Sequence, residues 1–305
     1  LLYSRFFMLA LSYNNKNIKL KEPFDGLFTQ GMVCHETYKD ENNNWLSPDE
    51  VITLDGQKYL KNNNSKKVFV GPSESMSKSK RNTIDPEKII LDYGADAVRI
   101  FILSDSPPEK DVQWSDEGIK SSYKFVQKLW ALNTKILGEI QKNNKNDVDK
   151  KINKYTNQFI KKITDNLNAF SYNIIVANLH EMHSFFNKEI VNGYTKKTIT
   201  ENYIKILTIM TPIVPHLASE CLEILGVKQT QDWPIYDEKM LIESKINYVI
   251  QINGKKRDII EAKRDIDEEE LYNQIKKNHN LNKYIENKKI KKKIFIHNRL
   301  MNIIL

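Results

Sequence analysis

The sequence has 305 residues, of which 40% are hydrophobic and 28% are charged, and its formal net charge is +8. This length and composition exclude a disordered tail, a collagen-like chain and a disulfide-stapled mini-protein, and they allow two or three domains. The two cysteines, Cys34 and Cys221, stand far apart and indicate neither a disulfide framework nor a metal centre. We therefore expect a cytoplasmic protein with no bound metal. No stretch is apolar enough to predict a membrane span.

The first seventy residues predict a helix followed by a small β-rich insertion. Leu2, Phe6 and Leu9 share one helical face, which predicts the end of a buried helix within residues 1–13. Over residues 31–70, short β-type runs alternate with Asn-rich and Gly-containing turns, a pattern typical of short strands.

Two helices are predicted next, after a polar and flexible loop over residues 73–82. Asp85 followed by Pro86 is a strong helix-start signal, and Gly94 predicts where that helix stops. A second helix is predicted over Ala95–Leu103.

From residue 116 to about 230 the helical period dominates, which predicts an antiparallel helical bundle. The pair His180 and His183 has a spacing seen in metal sites but lacks a third ligand at a suitable offset, so we expect ordinary histidines there. The predicted core positions of three long helices are Ile119, Tyr123, Val126, Trp130 and Leu137; Ile152, Phe159, Ile163 and Phe170; and Ile174, Leu179, Met182, Phe186 and Ile190.

The last sixty residues predict a compact α+β domain after a linker. Alternating apolar residues lead into Asn253-Gly254, which predicts a hairpin with a type I′ turn. Asp267 resembles the cap of a following helix, and residues 293–305 predict a second strand pair.

Positive charge is concentrated in the same segment. Residues 246–305 hold 14 Lys or Arg against eight Asp or Glu. Such an excess is expected for a nucleic acid or another polyanion partner. The alternative is a solvated surface in a lysine-rich protein, and charge alone does not decide between the two.

The residues around Lys78 carry the clearest chemistry. Ser75-Met76-Ser77-Lys78-Ser79 forms a loop of small hydroxyl residues just before a helix, which would let the backbone approach a ligand closely. A lysine ammonium is a compact charge that suits the charge developing on a transferring phosphate. Taken alone, such a loop is more often solvated surface.

This loop resembles the KMSKS signature of class I aminoacyl-tRNA synthetases, and the surrounding segments resemble the leucyl type. The valyl and isoleucyl types are lesser alternatives, and the C-terminal segment argues against them. In the family's order, the matching blocks are Leu2–Phe7, Gln30–Val33, Ser77–Asn82, Asp85-Pro86, Tyr93–Arg99, Ser106–Asp111, Trp114–Asp116, Thr211–His216 and Val249–Lys255.

The resemblance implies a multidomain protein, mainly α with α/β parts, that corresponds to the C-terminal portion of such a synthetase. Its implied parts are the tail of the class I nucleotide-binding catalytic fold over 1–30, a small β-rich insertion over 31–70, the KMSKS-type loop and stem helices over 71–115, an antiparallel helical bundle of the anticodon-binding type over 116–230, a linker over 231–245, and a C-terminal α+β tRNA-binding domain over 246–305.

The resemblance also implies site residues, with ATP and Mg²⁺ as cofactors and tRNA(Leu) as partner. Lys78 would be the catalytic residue, stabilising the triphosphate as pyrophosphate leaves. Ser75 stands where the family usually has lysine, which removes a charge-assisted contact worth about 1.5–3 kcal/mol unless Lys80 replaces it. The implied ATP-binding residues are Ser75, Met76, Ser77, Lys78 and Ser79. The implied tRNA-binding residues are Lys255, Lys256, Arg257, Lys288, Lys289, Lys291, Lys292 and Lys293.

No segment resembles the family's HIGH-type motif or its editing domain, and the sequence opens at Leu1 instead of methionine. We therefore expect that an N-terminal half is missing, and that leucine and ATP bind productively only when it is present. DNA and membranes are not expected partners. The alternative function is a non-catalytic tRNA-binding module derived from a synthetase tail.

Overall fold

The computed structural model describes residues 1–142, 149–227, 231–241, 245–286 and 288–305. Contacts between residues divide the chain into two compact units, residues 1–235 and residues 236–305. Each unit contains helices and strands, so the predicted mixture of the two is confirmed.

Helix α1 (Leu2–Ser12) forms where the apolar spacing predicts it, but the prediction that it is buried is wrong. No residue of the helix is buried, and Phe6 is 72% exposed. The helical period predicts which side chains share a face, yet it does not say whether another element covers that face. Among the described residues, nothing covers this face enough to bury one of its side chains.

Two small sheets follow. Their strands are β1 (Val33–Lys39), β2 (Trp45–Leu46), β3 (Val51–Leu54), β4 (Gln57–Leu60), β5 (Asn63–Lys67) and β6 (Phe69–Ser75). Strands β3, β4 and β5 form an antiparallel meander. Strands β2, β1 and β6 form the second sheet, and β7 (Val112–Gln113) joins it in parallel with β1.

Strand β6 continues into the stretch that the sequence predicts as a flexible loop. Its pairing with β1 extends to Ser75, which lies opposite Cys34. The residues of this stretch are polar and give no strand signal of their own, so the extension depends on the backbone partners that β1 supplies.

The rest of the first unit is mostly helical. Its helices are α2 (Pro86–Tyr93), α3 (Ala95–Ser104), α4 (Asp116–Lys142), α5 (Asp149–Asn168), α6 (Tyr172–Glu189), α7 (Lys196–Met210) and α8 (Pro215–Ile224). The predicted start and stop of α2 are confirmed. The Asp85 side chain accepts a hydrogen bond from the Glu87 N–H at 3.0 Å, and Gly94 follows the helix with φ of +81°.

The buried face of α4 is rotated from the predicted one. Ile119 is buried as predicted, but Trp130 is 43% exposed. Two overlapping apolar stripes on this 27-residue helix satisfy the same period, and packing against α3, α6 and α7 selects one of them. The buried face continues through Phe125, Leu129, Leu132, Ile136 and Ile140. Of the other two predicted stripes, Phe170 and Ile174 are exposed and the remaining positions are buried.

The second unit places helices on one four-stranded sheet. Its elements are α9 (Glu238–Leu241), β8 (Lys245–Ile252), β9 (Lys255–Lys263), α10 (Glu268–Lys277), α11 (His279–Ile285), β10 (Lys292–Ile296) and β11 (Leu300–Ile304). The strand order is β10-β11-β8-β9, with β11 parallel to β8. Asn253 and Gly254 have φ of +51° and +76°, which confirms the predicted type I′ turn. The core includes Tyr248, Ile250, Leu271, Ile275, Leu281, Met301 and Ile303.

Candidate nucleotide-binding loop and basic surface

The loop that carries the signature runs from the end of β6 to the start of α2. Its first predicted ATP-binding residue, Ser75, is the last residue of the strand. The next backbone group, the Met76 N–H, donates to the Val33 carbonyl at 3.1 Å. The loop is therefore anchored to the sheet immediately before Ser77.

Asn82 organises the inside of the loop. Its side chain is fully buried, and its Oδ1 accepts a hydrogen bond from the Ser77 N–H at 2.8 Å. Its Nδ2 donates to the carbonyls of His35 at 3.3 Å and Glu74 at 3.2 Å. One amide thus satisfies three backbone groups, one in the loop and one each on β1 and β6, a role that the sequence alone does not reveal.

A tight turn lies between Ser77 and Asn82. The Arg81 N–H donates to the Lys78 carbonyl at 3.3 Å, and Arg81 has φ of +54°. The Ser77 hydroxyl accepts from the Lys80 N–H at 3.3 Å and lies 3.3 Å from the Ser79 hydroxyl. The predicted serines therefore shape the turn from within.

The three cations of the loop differ in their electrostatic surroundings. The Lys80 ammonium is paired with the Glu74 carboxylate, and the Arg81 guanidinium lies 3.1 Å from Glu50. Lys78 is exposed and makes no ion pair within the described part of the chain. The charge of Lys78 is thus the one in the loop left free for an anionic ligand.

Glu50 is itself held in place by its neighbours. The Ser47 N–H donates to Glu50 Oε2 at 2.8 Å and the Ser47 hydroxyl donates to the same oxygen at 3.0 Å. The backbone hydrogen bond from Ser47, with the charge of Arg81 nearby, lowers the pKa of the Glu50 carboxyl.

Two of the sequence blocks that carry the resemblance meet in the first unit. Asp96, on α3, accepts hydrogen bonds from His216 Nδ1 at 2.9 Å and from the Leu217 N–H at 2.7 Å. Arg99, one turn along α3, donates through Nε to the Ile213 carbonyl at 3.0 Å. The buried carboxylate of Asp96 therefore caps the start of α8, so these blocks connect the stem helices to the bundle.

His180, His183 and Cys221 of the bundle pack as ordinary side chains. The His180 ring stacks on Phe125 with centroids 3.6 Å apart, and His183 lies 2.8 Å from Asn187 Nδ2. Cys221 is fully buried, and burial raises the pKa of its thiol to about 11. Over the described ranges no three His, Cys, Asp or Glu side chains converge as metal ligands. In the same ranges no helix is both long enough and apolar enough to cross a bilayer.

The two predicted basic clusters of the second unit come together at one end of its sheet. Lys292 pairs opposite Ile304 across β10 and β11, and Lys255 pairs opposite Ile252 across β9 and β8. Parallel pairing of Ile303 with Ile252 joins the two hairpins at that end. Lysines that are almost forty residues apart in sequence therefore lie at the same end of this sheet, on its two outer strands.

The surroundings of the other predicted cations are more varied. Lys256, Lys288 and Lys289 are exposed, and the Lys291 ammonium donates to the Leu305 carbonyl at 3.1 Å. Lys293 is partly buried with its ammonium 4.0 Å from the centre of the Tyr272 ring.

Sequence reasoning missed two tyrosines that lie beneath these cations. The Lys276 ammonium, like that of Lys293, lies over the Tyr272 ring, 4.7 Å from the ring centre. The Arg257 guanidinium lies over the Tyr284 ring, 4.6 Å from the ring centre. Tyr272 and Lys276 are four residues apart on α10, a spacing that could have indicated one contact, but the contacts with Lys293 and Arg257 require the folded sheet.

Two family models match parts of the chain. Residues 149–275 match the family described as the anticodon-binding domain of tRNA ligase, and residues 68–115 match the class I tRNA synthetases for I, L, M and V. The whole chain is 36% identical to a leucine–tRNA ligase of Rickettsia massiliae and 39% identical to those of Orientia tsutsugamushi and Wolbachia pipientis. It spans 36% of the length of the first two and 37% of the third.

A solved structure shares the fold over the same extent. This is the LeuRS agnB2 of Agrobacterium radiobacter K84, crystallised as a ternary complex with tRNA and LeuAMS. The TM-score is 0.69 at 20% sequence identity, and the match covers 100% of this chain and 35% of that one. The leucyl relatives favour the leucyl type over the valyl and isoleucyl alternatives. Over its whole length, the chain corresponds to the C-terminal portion of leucyl-tRNA synthetases, which are class I aminoacyl-tRNA synthetases.

Proposed function

We propose that this chain supplies the phosphate-contacting loop and a tRNA-binding surface of a leucine–tRNA ligase. In that reaction the carboxylate of leucine attacks the α-phosphate of ATP, giving leucyl-adenylate and pyrophosphate. The leucyl group is then transferred to the terminal adenosine of tRNA(Leu) with release of AMP. The observation that carries the proposal is the free charge of Lys78 in a loop whose other two cations are paired.

The role of Lys78 follows from its charge and its position. As the bond from the α-phosphate to pyrophosphate breaks, negative charge grows on the leaving phosphates. An exposed ammonium on an anchored loop stabilises that charge without first breaking an ion pair. Ser77 and Ser79 keep the turn compact, and the proposed contact of the loop with ATP, including Ser75 and Met76, rests on this geometry.

The residues of the loop do not form a ligand set for Mg²⁺. Hard cations prefer carboxylate oxygens, but Glu74 and Glu50 beside the loop are paired with Lys80 and Arg81, and Asp85 at its end caps α2. We therefore assign no step of the reaction to a metal ion held by these residues.

The first prediction concerns activation of leucine. We expect leucine-dependent ATP–pyrophosphate exchange when the chain is combined with the N-terminal half of a leucyl-type synthetase, and Lys78→Ala to lower its rate about tenfold or more. Lys88→Ala is the matched control, because Lys88 is a nearby exposed lysine on α2 outside the loop. Its exchange rate should stay near that of the wild type.

Two outcomes would contradict this assignment. Unchanged exchange in Lys78→Ala would remove the proposed role of the loop. Tight tRNA binding without exchange in either preparation would favour the alternative of a non-catalytic tRNA-binding module.

We further propose that the basic end of the second unit contacts the phosphates of tRNA(Leu). The support is the position of Lys255, Lys256, Lys291 and Lys292 at the same end of the four-stranded sheet. Arg257, Lys288, Lys289 and Lys293 extend this surface. Lysine contacts to phosphate position the RNA and carry little sequence information, so affinity more than selectivity should depend on them.

The second prediction follows from counterion release. Replacing Lys255, Lys256 and Lys292 together with alanine removes up to three phosphate contacts, so the slope of log K against log salt should fall by about two to three. Filter binding or anisotropy with tRNA(Leu) over a salt series measures it. Lys263→Ala is the control, because Lys263 is exposed at the opposite end of β9. An unchanged slope in the triple variant would refute the proposed surface.

A further inference from the structure

Arg81 joins the signature loop to a separate part of the first unit. Its Nη2 lies 3.1 Å from Glu50 Oε2, and its Nη1 donates to the Trp45 carbonyl at 3.1 Å. Trp45 is the first residue of β2, and Glu50 ends the 3₁₀ turn Pro48–Glu50 that connects β2 to β3. A planar guanidinium can reach two such acceptors at once, whereas a lysine ammonium in its place could not reproduce this fork.

The backbone of Arg81 explains why the loop needs this attachment. Arg81 has φ of +54°, in the left-handed region that non-glycine residues seldom adopt. Its N–H closes the turn on the Lys78 carbonyl at 3.3 Å. A conformation of this kind persists when surrounding contacts hold it, and the side-chain contacts of Arg81 are such contacts.

We infer that Arg81 is a positioning residue for Lys78. Its guanidinium, held by Glu50 and by the Trp45 carbonyl, fixes the turn from which the Lys78 ammonium projects. The 3₁₀ turn thus acts on the signature loop through one side chain. This inference rests on the proposed function of the loop and assigns a partner within the chain to it.

A neighbouring ion pair offers a matched comparison. Asp49, adjacent to Glu50 on the same turn, pairs with Lys88 at 3.1 Å. That pair ties the turn to α2 and leaves the 78–81 turn untouched. If only the attachment of the 3₁₀ turn to its surroundings matters, breaking the Asp49–Lys88 pair or the Glu50–Arg81 pair should have the same effect on the signature loop. If Arg81 positions the loop, only the Glu50 pair should matter.

The first test measures the loop directly. Trypsin cleaves after lysine, so the rate of cleavage after Lys78 in the 305-residue chain reports how often the turn opens. Glu50→Gln removes the charge while keeping an oxygen for the Ser47 N–H, and it should speed this cleavage about threefold to tenfold. Asp49→Asn should leave the rate within about twofold of wild type.

Cleavage of each protein is measured at a temperature equally far below its own thermal midpoint, so that general unfolding does not enter the comparison. Equal cleavage rates in wild type and Glu50→Gln would overturn the inference. Equal acceleration by Asp49→Asn would overturn it as well, because faster cleavage would then result from loosening of the 3₁₀ turn in general and not from loss of the Arg81 contact.

The second test is a double-mutant cycle in the assembled synthetase. Glu50→Gln should lower the rate of ATP–pyrophosphate exchange, with tRNA affinity unchanged. In the Lys78→Ala background the same substitution should cost nothing further, because Glu50 acts through Lys78. Additive losses would overturn the inference.

The two proposals can fail separately. If Lys78→Ala leaves exchange intact, the proposed function of the loop fails, and the cleavage assay still decides whether Glu50 holds the turn. If Lys78→Ala removes exchange but Glu50→Gln changes neither cleavage nor exchange, the positioning role of Arg81 alone is wrong.

Discussion

At the scale of single residues, the loop shows how much depends on one buried amide. Asn82 satisfies Ser77 in the loop and two carbonyls on different strands. The sequence locates the loop and Lys78, because the motif is local. It does not reveal that Asn82 is buried, because its partners His35 and Glu74 become neighbours only when β1 and β6 pair.

The third prediction tests this amide. Asn82→Ala leaves the Ser77 N–H and two carbonyls without their partner, and we expect a loss of about 1–3 kcal/mol in the free energy of unfolding. Urea denaturation measures it. Asn62→Ala is the control, because Asn62 is exposed and lies in the turn between β4 and β5, outside the signature loop. Equal midpoints for wild type and Asn82→Ala would show that the amide does not hold the loop.

At the scale of elements, apolar periodicity predicts helices better than it predicts their buried faces. Helix α4 carries apolar side chains on two overlapping stripes, and its neighbours decide that Phe125 is buried while Trp130 is exposed. Helix α1 shows the same limit, because its apolar face forms as predicted and stays uncovered. In each case the missing information lies in another element and not in the helix itself.

The fourth prediction concerns a histidine on the inner side of α6. Burial, and then the charge of Lys128, lowers the pKa of His183 from its usual value of 6.5. Below about pH 6.5 the unfolded chain therefore binds more protons than the folded chain, so the free energy of unfolding falls as the pH falls.

His183→Gln does not titrate and can keep a hydrogen-bond acceptor for Asn187. Its loss of stability between about pH 7.5 and 5.5 should be shallower than that of the wild type. Thermal midpoints over this range measure the slope. Parallel slopes for the two proteins would show that His183 does not contribute to acid sensitivity.

At the scale of the whole molecule, sequence reasoning found the strands of the second unit and helix α10, but it missed α9, α11 and the way in which the strands meet. Asn253-Gly254 predicts the first hairpin, and the charge excess is expected either for a polyanion partner or for a solvated lysine-rich surface. Two separate hairpins would leave their lysines unrelated in space. The parallel pairing of β11 with β8 is what unites them, and no short-range pattern encodes such a pairing.

That parallel pairing also sets the order in which the second unit can assemble. The β8–β9 hairpin joins neighbours through a two-residue turn, and hairpins of this kind close in microseconds. Strand β11 must instead find β8 across nearly fifty intervening residues, which makes this step slow because long-range closure costs chain entropy. The lysines of the two hairpins therefore become one surface only once β11 has paired with β8. A partly folded second unit would carry the same net charge yet lack the surface proposed to bind RNA, so its charge alone would not restore tight binding.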